Sequence, residues 1–236
     1  MQLDGPFTRG ELLLPQTPPD AVQALRWQDL TANRILVVIA TVVVLLYITE
    51  IIRLLPSLMQ VLSRWRGAIY LEHSVNMARS RNLSAMAISI PLCLLADRFA
   101  LYRPGWWSAI PPQWSALTFI GIWAVYLLLR RGISYFIIPY TLDSDNRGAV
   151  KYTLNTFTII AGILMLTTTL VMRVFHSPEA SVRTVLLFEA GFFWLFSLLR
   201  TGQILGAHCG GFTTILYLCA LEILPAGLLV LSAVVL

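Results

Sequence analysis

Charge is what this sequence has least of. Asp, Glu, Lys and Arg make up 12% of its 236 residues, about half the share of an ordinary soluble domain. Lysine is almost missing: of 17 basic residues, only Lys151 is one. So few charges leave a 26.4 kDa chain unable to clothe a surface in water. That excludes a cytosolic enzyme, a secreted disulfide scaffold and a disordered chain.

Cysteine and histidine are scarce too. Cys93, Cys209 and Cys219 are odd in number, lie in or beside apolar segments and have no CxxC spacing. They form neither a disulfide framework nor a zinc site. His73, His176 and His208 fall in separate connections or span ends, with no HExxH and no matched pair for haem. There is no Walker loop, GxGxxG or nucleophile elbow. Asp143-Ser144-Asp145 has the look of a metal-nucleotide DxD, but as a calcium loop it puts Arg147 fifth and Leu154 twelfth. A solvated turn is the plainer reading, and no metal or cofactor is expected.

What is present is hydrophobic length. The hydrophobic class reaches 57% and the mean hydropathy is +0.74. A bilayer core needs about 20 apolar residues of helix. Six stretches qualify or nearly so: 35–56, 83–102, 115–139, 152–175, 184–205 and 212–236. None alternates with period two, so a β-barrel is not expected. The fold class is all-α, a polytopic transmembrane bundle of about six spans forming one domain over 35–236. Residues 1–34 read as a polar tail. Asp4, Arg9, Glu11 and three prolines argue against a cleavable signal, and Asp20 is placed to cap a short helix through Trp27.

The net charge of +5 does not indicate nucleic acid, because the arginines flank apolar runs instead of forming a face. They orient the bundle. The first, third and fifth connections gather 10 of the 17 basic residues, from Arg53 to Arg200 and including Lys151, against 7 on the other side. The richer side is expected in the cytoplasm, which puts both termini outside. Tyr102, Trp106, Trp107 and Trp114 suit an interfacial belt at the opposite end. Leu58, Val61, Leu62, Trp65 and Ile69 recur at helical spacing between arginines. They predict an amphipathic helix after span one, lying on the inner leaflet or packed under the bundle.

Tyr217 to Pro225 reads YLCALEILP. This resembles the C-terminal signature of a family of multi-pass inner-membrane proteins from the Bacteroidota, a family defined as a domain of unknown function. Leu198-Leu199-Arg200-Thr201-Gly202 is similar to an Arg-Gly pair at a comparable place, with Thr201 intervening here. The general plan, with a first span ending in Arg and a connection holding Glu72, is similar from about Ile35 onward. The resemblance implies a place in the bacterial cell envelope, in the inner membrane, and singles out Arg200 and Glu222. It implies no particular chemistry.

Ionisable groups inside spans are costly and tend to pair or to mark sites. Arg200 lies about 12 Å before His208, and Glu222 about 16 Å after Gly211, at 1.5 Å per residue. A short turn between antiparallel spans brings them to similar depth. A charge pair between Arg200 and Glu222 is therefore expected, as a lock between spans five and six or as a substrate or proton site. Pro225 frees the carbonyl of Leu221 next to Glu222 and predicts a kink. Gly202, Gly206 and Gly210 form a small-residue ridge if the helix continues, and Gly210-Gly211 is a turn or hinge if it does not. Glu50 and Arg53 can pair at i,i+3. With Arg130 and Arg131 they are candidates to line a polar cavity open to the cytoplasm. Asp97 and Glu189 belong nearer the outer side.

Three functions are compatible with these features. The first is a non-enzymatic component of an envelope assembly or transport system, with membrane lipids and other membrane proteins as partners. The second is a small transporter or lipid-carrier flippase with an intramembrane Arg/Glu site. The third is an enzyme acting on a lipid head group. Arg200, Glu222, Glu50 and Arg53 clustered around a solvated cavity would favour the second; a dry, fully paired bundle with an exposed patch would favour the first.

Overall fold

In the computed structural model the chain is described at residues 27–63, 67, 71, 73–137 and 144–235. The expected helix from Asp20, the DxD at Asp143 and the outer half of the amphipathic stretch, with Trp65 and Ile69, lie outside these residues or their described side chains. The described residues are helical throughout, joined by short turns and without strands. The long helices are α1 (Thr31–Ser63), α2 (Val75–Arg98), α3 (Ser115–Ile137), α4 (Ser144–Val174) and α5 (Glu179–His208). The last rod is α6 (Gly211–Leu218), a π turn (Cys219–Ile223) and α7 (Leu224–Val235).

Four helical stretches are long and apolar enough to cross a membrane by length and composition: Thr31–Ser63, Pro112–Ser134, Arg147–Val174 and Glu179–His208. The two other expected spans differ for physical reasons. In α2, Arg79, Arg81, Asn82, Asp97 and Arg98 dilute the apolar run, and the helix is central: α1, α3 and α4 all pack on it. Such a helix does not need a lipid-facing surface. The C-terminal rod is interrupted by its π turn.

α1 is longer than its apolar run implies. It continues past Pro56 to Ser63, so Leu58 and Val61 belong to the same helix as the first span. Both are fully buried in the main core, with Leu54, Ile88, Phe157, Ile204 and Leu205. Of the two expected settings, this part of the amphipathic stretch packs into the bundle. The opposite face of α1 exposes Val38, Leu46 and Ile52, the lipid-facing pattern of a spanning helix.

Two helices end in the same way. Ala100 and His176 have φ near 51° and 52°. After each, an amide reaches back across the last turn, Leu101 N to Ala96 O at 2.9 Å and Ser177 N to Met172 O at 3.0 Å. This left-handed C-cap satisfies orphan carbonyls and reverses the chain sharply. It folds the connections of 98–115 and 174–179 tightly onto one end of the bundle.

α2 and α4 come close at Gly162. A Cβ there would lie 2.1 Å from Ile88 Cγ2, an atom fixed to the β-carbon of a buried side chain. Gly162→Ala is therefore expected to destabilise by about 1–3 kcal/mol through overpacking. Gly121→Ala, with nothing within 4 Å, should be neutral or slightly stabilising. Thermal unfolding in nanodiscs compares them; equal midpoints would mean the helices separate without cost.

Candidate functional site

The site lies toward the end of the bundle where α3 passes to α4 and α5 to α6. Both α3 and α4 pack on α2 but scarcely on each other. A cleft of about 140 Å³ remains between them, with α2 as its floor. Each wall is one stripe of a helix. From α3 come Trp123, Leu127, Arg130 and Ser134; from α4 come Lys151, Asn155 and Thr158; from α2 come Asn82, Met86 and Ser89. These spacings of three and four put each set on a single helical face. Ala85, Arg131 and Tyr152 complete the lining.

Arg130 is the anchor. Only 5% of it is exposed. One terminal nitrogen donates to Glu222 Oε1, and Glu222 is fully buried. The other donates to the carbonyl of Lys151 at 3.3 Å. Arg130 thus ties α3 to α4 and to the C-terminal rod. Tyr126 and Tyr217 are buried within electrostatic reach of both charges. The π turn presents the carboxylate. Pro225 has no N–H to give Leu221 O, and Leu224 N instead reaches Cys219 O, five residues back.

The floor is polar as well. Asn155 Nδ2 donates to Asn82 Oδ1 at 3.0 Å, and Arg81 Nε donates to the same oxygen at 3.3 Å. The Arg81 guanidinium also sits 5.0 Å from the centre of the Tyr152 ring, whose other neighbour is Lys151 Nζ at 5.3 Å. Cations on an aromatic face gain electrostatic attraction, and this stacking holds Arg81 although it is only 1% exposed.

The structure corrects the expected pair of Arg200 with Glu222. Glu222 is bound by Arg130. Arg200 donates to Gln203 Oε1 at 2.8 Å and to the carbonyl of Leu62, in the last turn of α1, and lies 5.3 Å from the Phe196 ring centre. A cation there complements the negative end of α1. Counting residues from a turn fixes depth but not azimuth, and Glu222 points at α3. The proposed cavity is also redrawn. Arg130 and Arg131 line the cleft, whereas Glu50 bonds Ser80 at 2.8 Å and pairs with Arg53 at 3.7 Å on another face of α2.

The glycines divide. α5 runs unbroken through Gly202 and Gly206, but only Gly202 meets the next helix, 3.3 Å from Leu218 Cδ1 for a built Cβ. Gly206 faces open space, so the expected ridge is a single contact. Gly210 precedes Gly211, the first residue of α6, and forms the turn.

At the other end a second polar cluster serves packing. Asp97 accepts from Trp27 Nε1 at 2.6 Å and from the Ser115 hydroxyl, which in turn accepts from Trp107 Nε1 at 3.0 Å. Tyr102 bonds Ser232 at 2.6 Å. Trp106 and Trp114 are exposed, as a belt requires, while Trp107 is buried. Glu189 accepts from Thr168 at 2.7 Å between α4 and α5.

Sequence reasoning missed Lys151, Trp123, Asn82 and Asn155. A signal was there. Lys151 and Asn155 are four apart and Thr158 follows by three, a polar stripe on an otherwise apolar helix. No group of three or more metal-ligating side chains occurs among the described residues.

Fold and site together define an all-α bundle with membrane-spanning helices and a cationic lateral cleft. The chain matches no family model, no curated protein and no solved structure.

Proposed function

We propose that the protein is a non-enzymatic carrier in the bacterial inner membrane, a small transporter or lipid-carrier flippase that takes a polar group into the cleft between α3 and α4. The observation that carries this reading is the cleft itself: a cavity walled by Arg130, Arg131, Lys151, Asn82 and Asn155 toward one end of long apolar helices. Polar groups in such a place are expensive and mark ligand paths by default. A partner-binding component of an assembly system called for a dry, fully paired bundle. A headgroup enzyme calls for a carboxylate in the wall, and among the described lining residues there is none.

The 10 basic residues that the sequence gathers in the first, third and fifth connections support a cytoplasmic setting for the end that holds the cleft, with both termini periplasmic. The lateral gap between α3 and α4 then meets the inner leaflet.

Thiol labelling tests the reading. In a chain with Cys93, Cys209 and Cys219 replaced, Asn155→Cys should react with a membrane-impermeant reagent added from the cytoplasmic side. Ser108→Cys, at the opposite end, should react only from the periplasm. No labelling of Asn155→Cys from either side would overturn the carrier reading. Labelling only from the periplasm would reverse the orientation.

A further inference from the structure

We propose that the cleft binds a phosphate group, either as a lipid headgroup or free in solution. This deepens the carrier reading and rests on it, since it names the chemistry of the ligand.

The charge balance comes first. Arg130, Arg131 and Lys151 line the cleft and no Asp or Glu does, among the described residues. Glu222 neutralises Arg130 from behind. The wall keeps a surplus of two positive charges, which is the charge a phosphate monoester brings near neutral pH. In a low-dielectric surrounding that surplus repels itself and is lowered most by a compact dianion.

The hydrogen-bonding inventory points the same way. The hydroxyls of Ser89, Ser134 and Thr158 line the cleft, yet each donates its proton to a carbonyl of its own helix. They offer a ligand no donor. The donors left over are the cationic and indole N–H groups and the Asn82 amide. Arg130 Nε and Trp123 Nε1 are buried and have no hydrogen-bond partner, and both residues face the cleft. Arg130 is held on its other two nitrogens by Glu222 and the Lys151 carbonyl. Its remaining edge is therefore fixed in direction before any ligand arrives. A site that donates from fixed N–H groups and carries excess positive charge selects an acceptor-only anion. A sugar or an amine would leave both cations unmatched, and the single phosphodiester charge of a zwitterionic headgroup would match only one.

The size fits a headgroup and not a whole lipid. At about 30 Å³ per water, 140 Å³ holds a phosphate with a few waters. Exposed Met86 and the half-buried Leu127 flank the opening, so an attached chain would stay among apolar side chains and lipid.

The test uses the full-length protein in nanodiscs of phosphatidylcholine, with a few per cent phosphatidic acid or with none plus inorganic phosphate. Native mass spectrometry counts retained phosphatidic acid, and 31P NMR titration reads phosphate binding. The variants are Arg131→Gln and Lys151→Gln, chosen because neither side chain is buried in the Arg130–Glu222 anchor. Each should keep the wild-type unfolding midpoint and weaken binding about tenfold, the effect of one lost charge-assisted contact. Arg79→Gln, an exposed arginine at the same end, should leave binding unchanged. Retention of phosphatidic acid alone assigns a lipid headgroup; binding of inorganic phosphate assigns the free anion. Binding of neither, or an equal loss in Arg79→Gln, overturns the proposal. If Asn155→Cys is nevertheless labelled, the carrier reading stands without the phosphate; if it is labelled from neither side, both fall.

Discussion

Arg130→Ala and Glu222→Ala are each expected to destabilise the fold by about 3–5 kcal/mol, because each leaves a buried opposite charge without its partner. The pair is almost dry: the side chains are 6% and 0% exposed. Its burden is shared across three elements, since Arg130 also holds the Lys151 carbonyl of α4. The double variant should lose clearly less than the sum of the two singles, because it removes the orphaned charge along with the interaction. Arg200→Ala offers the contrast. Arg200 is half-buried and bonds Gln203 and a backbone carbonyl, so its loss should be smaller and additive with that of Glu222→Ala. Thermal unfolding in nanodiscs of the three single variants and of the two doubles, Arg130→Ala with Glu222→Ala and Arg200→Ala with Glu222→Ala, decides the matter. Additivity of Arg130→Ala with Glu222→Ala would mean the pair is not coupled, and coupling of Arg200 with Glu222 would restore the lock between α5 and the C-terminal rod.

The second large effect is expected at Asp97. This carboxylate is 1% exposed and collects donors from two other elements, Trp27 at the N-terminal 3-10 turn (Trp27–Asp29) and Ser115 at the start of α3. Asp97→Ala leaves the indole N–H and the serine hydroxyl without an acceptor. At about 1–3 kcal/mol for each buried unsatisfied group, two groups should cost the fold about 2–6 kcal/mol in all. Asp97→Asn keeps one carbonyl acceptor and should lose less. The release should be local first. Trp27 also accepts from Asn33 Nδ2 at 2.9 Å, so the amides of 27–34 should exchange hydrogen faster in Asp97→Ala while those of α5 do not change. Unaltered exchange at 27–34 would show that Asp97 does not fasten the start of α1.

Much of the architecture was legible in the sequence because a bilayer imposes it. An apolar run of twenty residues has only one economical structure in hydrocarbon, a helix that satisfies its own backbone. Residues 115–139 accordingly become α3 at Ser115–Ile137, and 184–205 lie inside α5. The proline three residues after Glu222 marked where the last rod becomes irregular, a π turn at Cys219–Ile223, although Pro56 and Pro91 sit within continuous helices. The i,i+3 pairing of Glu50 with Arg53 was readable because it depends only on helical geometry.

Partners across the bundle were not legible. Sequence places Arg200, Arg130 and Glu222 at comparable depths, but depth is one coordinate and pairing needs the rotation of each helix about its axis. That rotation is set by which small residue admits which neighbour, as Gly162 admits Ile88, and by the π turn that re-aims Glu222. The hidden centre of the fold follows the same logic. α2 looked like one span among six, with a few troublesome polar residues. Those residues are tolerated because α2 is surrounded: Asn82 meets Asn155, Arg81 meets Tyr152, and Asp97 meets Trp27 and Ser115. The sequence by itself determined that helices form and roughly where they lie along the membrane normal, because backbone satisfaction and hydrophobic length are local properties. Only the tertiary structure decided which charges neutralise one another and which remain to face a cleft, because that depends on side-chain packing between segments far apart in the chain.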